Sequence, residues 1–401
     1  MTNKSFWPAV CISVLMAGML GCGSGSFSAA TQQSSKPEFL YVTAATGPVT
    51  SPTFQLSAFK IDSSSGALSA TSTMPLTQIV TGIAADSSSK FLYLSSPSPL
   101  ASFVGIYSID ATSGAPTSDG SLLLTSVCAF CPPPSEPGAL ALDPTGNLLY
   151  YGSSSLGIGV AQGVGALTLD SSTGGLTPVP GSPFPAEQAP FLVAVHPSGQ
   201  FVYTEDASGI GLVGLALENI SAFSVGSGTG ALSPVQGSPF TPPTTGDVAG
   251  FAMHPSGKFL YVTTGRAANG ILAWSIDATT GELTNLPGSP FQPGVASFGG
   301  AFDPAGKFFY VSAGGDGGID GFSVDSNSGA LTPLASSPFA SGSVMSDPVV
   351  DPSGKFLFTV DALNSAITGF SVEATTGALT ELGNPAMLNG QTGLMTIVKA
   401  P

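Results

Sequence analysis

The chain of 401 residues contains 52 glycines and 34 prolines, with 42% hydrophobic residues and only 8% charged ones. That composition excludes a disordered polymer and describes a packed, turn-rich β protein. The formal net charge is -15 with nine Lys plus Arg, and Arg266 is the sole arginine, so no basic stripe for nucleic acid can form.

The N-terminus reads as an address. Lys4 supplies a positive start, Phe6 to Leu20 form an apolar run, and small Gly21 precedes Cys22. The pattern looks like a bacterial lipoprotein signal over residues 1–22, with Cys22 as the lipidated residue. An ordinary signal peptide or a short anchor is the alternative, and the apolar run is shorter than the roughly 18 residues a membrane span needs. Residues 23–36, rich in Gly, Ser and Gln, read as a flexible tether. These features imply an exported protein of the cell envelope or periplasm, held to a bacterial membrane by its N-terminal lipid.

From residue 37 to 401 one phrase recurs: PEFLYVTA, DSSSKFLYLS, DPTGNLLYYG, HPSGQFVYTE, HPSGKFLYVTT, DPAGKFFYVSA and DPSGKFLFTVD. A second phrase of the type AFSVD-x-x-TGALTP follows each copy, often ending in GSPF. The period from Tyr41 through Tyr93, Tyr150, Tyr203, Tyr261 and Tyr310 to Phe358 is about fifty residues, which is a propeller spacing. Each period resolves into four strands: an inner strand, a DPxG turn, an FLYV strand, a variable loop, an AFSVD strand, a D-x-x-T-G turn and a short LTPV strand.

Proline fixes φ at the second position of each DPxG turn, and the glycine tolerates the positive φ that follows. The FLYV strands are apolar on both faces, so both must be covered, as in stacked blades. Phe184, Phe240, Phe291 and Phe339 of the SPF phrases are expected to wedge between blades. The repeat opens without an inner strand before Phe39 and closes with an orphan, QTGLMTIV, that matches one. Pairing the two removes an open edge. The expected fold is all-β, a seven-bladed propeller of four-stranded antiparallel blades whose C-terminal strand completes the first blade.

Candidate residues come in the same order. Cys128 and Cys131 form CAFC before three prolines, and in an exported protein a local disulfide is expected over a redox or zinc site. Glu205 and Asp206 in YTEDASG, Arg266 in TTGRAANG, Asp316 in AGGDGG and Asp361 in TVDALNS fall after FLYV-type strands. They are expected in loops on one face, where function usually resides. Glu205 or Asp206 with Arg266 would make a catalytic base and an oxyanion clamp, and Asp316 and Asp361 would bind ligand; solvated loop charges are the plainer alternative. His196 and His254 align with Asp143, Asp303 and Asp351 in the DPxG turn, so both are read as turn residues rather than catalysts. No metal site and no cofactor are expected.

The phrases DPSGKFLYV, AFSVD, TGALTP and GSPF resemble those of the bacterial lactonase family of seven-bladed propellers, similar to the propeller form of 6-phosphogluconolactonase and to YVTN-repeat surface proteins. The resemblance implies a carboxylic ester hydrolase that opens a sugar-acid lactone, with a P-H-x-H phrase on an inner strand. Here the corresponding strands read QAPFLVAVHP, DVAGFAMHP, ASFGGAFDP and MSDPVVDP, without that phrase. Lys90, Lys258, Lys307 and Lys355 fall in the DPxG-type turns, away from the loops, which argues against a phosphorylated substrate. The reading is therefore a monomeric binding or scaffold propeller that presents its loop face to a glycan, lactone or protein; the alternative is a hydrolase of an unphosphorylated lactone.

Overall fold

The computed structural model describes residues 36–47, 51–97, 102–124, 136–154, 163–187, 190–210, 213–244, 246, 248–265, 270–291, 297–313, 317–340, 345–361 and 364–400. Its strands form seven antiparallel sheets. Numbered as blades from the strand Glu38–Thr46, they follow one plan. Blade 5 shows it: Val248–Met253, Phe259–Thr264, Ile271–Ile276 and Leu283–Asn285 pair in sequence order from the inside outward.

Blade 1 is the exception that closes the ring. Its inner strand is the C-terminal Gln391–Lys399, which pairs antiparallel with Glu38–Thr46 so that Phe39 lies opposite Val398 and Tyr41 opposite Thr396. That strand packs beside the inner strands of both blade 2, Gly82–Ala85, and blade 7, Met345–Val350.

The apolar core is divided among the blade interfaces. Seven clusters of buried side chains exist, one for each neighbouring pair of blades. A single strand serves two of them. Phe39 and Tyr41 pack with Leu92 and Leu94 of blade 2, while Leu40 and Val42 pack with Phe358 and Val360 of blade 7. This is the physical reason for two-sided hydrophobicity: with period two, every other residue belongs to a different core. Each such side chain contributes roughly 1.5–3 kcal/mol by leaving water.

Polar staples repeat along with the core. The hydroxyls of Tyr41, Tyr93, Tyr203, Tyr261 and Tyr310 donate to the carbonyls of Gly114, Gly174, Gly281, Gly329 and Gly377, each in the outer turn of the next blade. The SPF phrases support the short outer strand. The hydroxyls of Ser182, Ser238, Ser289 and Ser337 accept from the amides of Ala166, Ala222, Ala273 and Gly321. Phe184, Phe240, Phe291 and Phe339 pair with the third strand and pack against the inter-blade clusters, as expected.

At the turn-bearing end, Asp86, Asp303 and Asp351 each accept the amide of the residue five positions on, at 2.6–2.7 Å. His196 and His254 do more than occupy the same position. Their Nδ1 atoms accept the amides of Ser198 and Ser256, which leaves Nε2–H to donate to the carbonyls of Gly257 and Gly306 in the next blade's turn. Both imidazoles are buried, and desolvation lowers their pKa. They are neutral struts between blades.

Candidate functional site

The second and third strands of blade 4, Phe201–Ile210 and Val213–Val225, form a hairpin longer than its siblings. It carries Glu205 and Asp206 inside the ladder, opposite Ile220 and Asn219, and buries both side chains fully. The expectation of loop residues is thereby corrected: the ladder runs past the FLYV phrase here as it does in the siblings, where Thr43, Ser95, Thr263 and Ser312 at the Glu205 position are also paired. Because adjacent residues on a strand face opposite ways, the two carboxyls do not converge. Glu205 shares the face of Tyr203, towards blade 5, and Asp206 points to the other.

Glu205 completes an irregular stretch of backbone. The inner strand of blade 4 is only Val193–Val195, so Phe191 and Leu192 lie outside the ladder. The Phe191 amide donates to Glu205 Oε1 at 2.9 Å, and the Leu192 amide is shared between Oε1 and Oε2 at 2.8 Å. The carbonyl of Phe191 accepts from the Ala139 amide of blade 3 at 2.8 Å, and that of Leu192 accepts from Thr204 Oγ1 at 2.6 Å. Every backbone group of the pair is thus satisfied off the ladder. Burial pushes the Glu205 carboxyl up to about 8, and the donated amides offset that only in part. When ionised, a carboxylate has about four acceptor positions, of which the three amide contacts occupy three, so one on Oε2 is left over.

Asp206 Oδ2 accepts the Ser221 hydroxyl at 2.7 Å. Asp361, also buried, holds its own loop by accepting the amide of Asn364 at 3.1 Å and its Nδ2 at 2.7 Å. Asp320, which the sequence reading passed over, is buried on the third strand of blade 6, Ile319–Val324, and accepts the Ser337 hydroxyl at 3.1 Å. A lone carboxylate inside IDGFSV was its only signal. Arg266, Asp316, Cys22, Cys128 and Cys131 lie outside the described residues. Among the described residues no three His, Cys, Asp or Glu side chains gather closely enough to hold a metal ion, and no helix is long and apolar enough to cross a membrane.

The described lysines of residues 37–401 sit at the opposite, turn-bearing end. Lys90, Lys258, Lys307 and Lys355 are in the inner turns, Lys60 precedes the outer turn of blade 1, and Lys399 lies opposite Glu38 at the start of the strand Glu38–Thr46. The Asp and Glu residues of the outer turns share that end. Hydrogen bonds from serines and threonines of the same turn hold Asp62, Asp110, Asp277 and Glu373 below the usual carboxylate range.

Comparison with known proteins gives this architecture a family. The sequence model described as Lactonase, 7-bladed beta-propeller, matches residues 28–338 and 299–395. The chain belongs to this lactonase family. Solved structures of similar fold include a putative 6-phosphogluconolactonase from Bacteroides fragilis, with a TM-score of 0.70 and 15% identity over 90% of this chain and 98% of that one. A putative 6-phosphogluconolactonase from Bacteroides uniformis gives 0.70 and 16% over 90% and 100%. The periplasmic gluconolactonase of Pseudomonas aeruginosa gives 0.65 and 16% over 90% and 100%. At such identities the likeness to these lactonase-family members is one of fold. No curated protein matches the sequence.

Proposed function

We propose that this lactonase-family propeller is a hydrolase of an unphosphorylated sugar-acid lactone, exported and held to the membrane through Cys22. The observation that carries the hydrolase reading is Glu205: a fully buried carboxyl with a pKa of about 8, clamped by backbone amides at a fixed place and retaining acceptor capacity on Oε2. A group poised near neutrality in a buried site is suited to general acid–base work.

In the proposed reaction, ionised Glu205 takes a proton from water as the water oxygen bonds to the lactone carbonyl. Arg266 stabilises the oxyanion that forms. Collapse breaks the bond to the ring oxygen, which leaves with the proton held by Glu205, giving the open hydroxy acid. The described lysines at the far end favour a substrate without phosphate.

A binding or scaffold propeller is the second reading, and one observation favours it: the amides that hold Glu205 already give that side chain a complete structural role. Turnover of a panel of sugar lactones, phosphorylated and unphosphorylated, decides between them. Hydrolysis of an unphosphorylated member, lowered by about 100-fold or more in Glu205→Gln and in Arg266→Ala, is expected. No hydrolysis, or hydrolysis indifferent to both substitutions, overturns the enzyme reading in favour of binding.

A further inference from the structure

The junction between blades 3 and 4 departs from the repeat at several points that meet at the turn-bearing end. Lysine closes the inner turn of blades 2, 5, 6 and 7 as Lys90, Lys258, Lys307 and Lys355, but blades 3 and 4 carry the amides Asn147 and Gln200. An acid opens the outer turn of the other six blades, as Asp62, Asp110, Asp170, Asp277, Asp325 and Glu373; blade 4 has Gly226. The aromatic residue that packs on the outer-turn glycine of the next blade, as Phe201 packs near Gly281, is Leu148 at this junction. The Tyr150 hydroxyl, whose counterparts donate to that glycine's carbonyl, is buried here with no partner among the described residues.

These substitutions surround a cleft of about 780 Å³, lined by residues 143, 145, 147, 148, 168, 169, 199–201, 224–230 and 279 within the described structure. Its size is that of a small-molecule site. Asp143 is its one charged lining residue, and that carboxylate is turned into its own loop, accepting the amides of Asn147 and Leu148 at 2.8 and 2.7 Å. What the cleft offers a ligand is neutral hydrogen-bonding capacity: the exposed amides of Asn147 and Gln200 and the exposed hydroxyls of Ser227 and Thr279, since the hydroxyls of Thr145 and Thr229 are engaged within their own turns. Amides and hydroxyls both donate and accept, which matches the ambivalent hydroxyls of a sugar. Removal of lysine from both flanking turns and of the acid from the outer turn leaves no unpaired charge to favour an ionic ligand.

We infer that this cleft is a binding site for a neutral saccharide. It lies at the end of the propeller away from Glu205, and it stands or falls independently of hydrolysis. The test restores the repeat. Asn147→Lys, Gln200→Lys and Gly226→Asp, combined in the full chain, introduce residues that the sibling turns already carry, so thermal unfolding should be unchanged while the cleft becomes charged. Ser227→Tyr, at an exposed position, fills the cleft without altering charge.

Titration calorimetry with β-linked trimers of glucose and of N-acetylglucosamine, and with trigalacturonate as the charged control, reads the result. Saturable binding of a neutral trimer is expected, weakened by about 10-fold or more in both variants, corresponding to loss of one or two hydrogen bonds. Lactone turnover, if present, should not change. Failure of both neutral trimers to saturate at millimolar concentration, binding that survives both variants, or preference for trigalacturonate overturns the proposal.

Discussion

The two ends of the propeller are built from the same strands but obey different rules. At the turn-bearing end the blades are near copies: an acid or histidine ties each inner turn, and tyrosines reach the next blade's outer turn. At the loop-bearing end the repeat breaks, most clearly in blade 4, where Glu205 replaces the small hydroxyl residues Ser95, Thr263 and Ser312 of its siblings. Repetition marks what holds the ring; departure from it marks what is particular to this protein. The cleft between blades 3 and 4 shows the same logic reaching the turn end.

The largest test removes the closure itself. A chain ending before Gln391 lacks the inner strand of blade 1 and with it Met395 and Val398 of two interfaces. It is expected to lose cooperative unfolding altogether, as followed by circular dichroism on heating, because an open edge and two exposed cores remain.

Next comes Glu205→Ala, which leaves the amides of Phe191 and Leu192 without acceptors and should cost roughly 1–3 kcal/mol for each, measured by denaturant unfolding. The pH dependence sharpens this. The Glu205 pKa is raised on folding from 4.5 to about 8, so the stability it gives is full below about 4.5 and is lost as pH rises through about 8. Glu205→Gln does not titrate, so its stability relative to wild type should improve across that range; a difference that stays flat would show that Glu205 is already ionised in the fold.

Smaller effects separate the junctions. Tyr203→Phe or Tyr261→Phe removes a hydroxyl bonded to the next blade and should cost about 1 kcal/mol, whereas Tyr150→Phe should cost nothing measurable, since its hydroxyl has no partner among the described residues. Equal losses would place a bond at the blade 3–4 junction after all.

The smallest is His254→Asp. Burial lowers the histidine's pKa, so its contribution is present above about 6.5 and is lost as pH falls through the lower folded value. The variant should flatten the acid side of the stability profile below neutrality; a profile that stays as steep would move the effect elsewhere.

Much of this was legible beforehand for one reason: seven copies of a phrase report seven times on the same environment. Two-sided strands, SPF wedges, closure by QTGLMTIV and the turn position of His254 all follow from the alignment of copies. What His254 does beyond its own turn was not legible, because Gly306 is 52 residues away in the next blade. Glu205 and Asp206 were misplaced because the FLYV phrase marks only the repeated centre of the strand, while the pairing runs on beyond it, through Thr43, Ser95, Thr263 and Ser312 in the siblings as through Glu205 here. The neutral turns DPTGN, HPSGQ and GSGTG were in plain view, but only their meeting around one cleft gave them a common meaning.

The sequence by itself determined the number of blades, their strand pattern and the closing strand, since each is a local period or its interruption. Tertiary structure alone decided which side chains face each other across blades, that Glu205 is buried among backbone amides, and that the neutral turns of blades 3 and 4 enclose one space. Such relations depend on the approach of segments about fifty residues apart, and the energy of a buried carboxyl or an unpaired hydroxyl is fixed by that approach rather than by its neighbours in the chain.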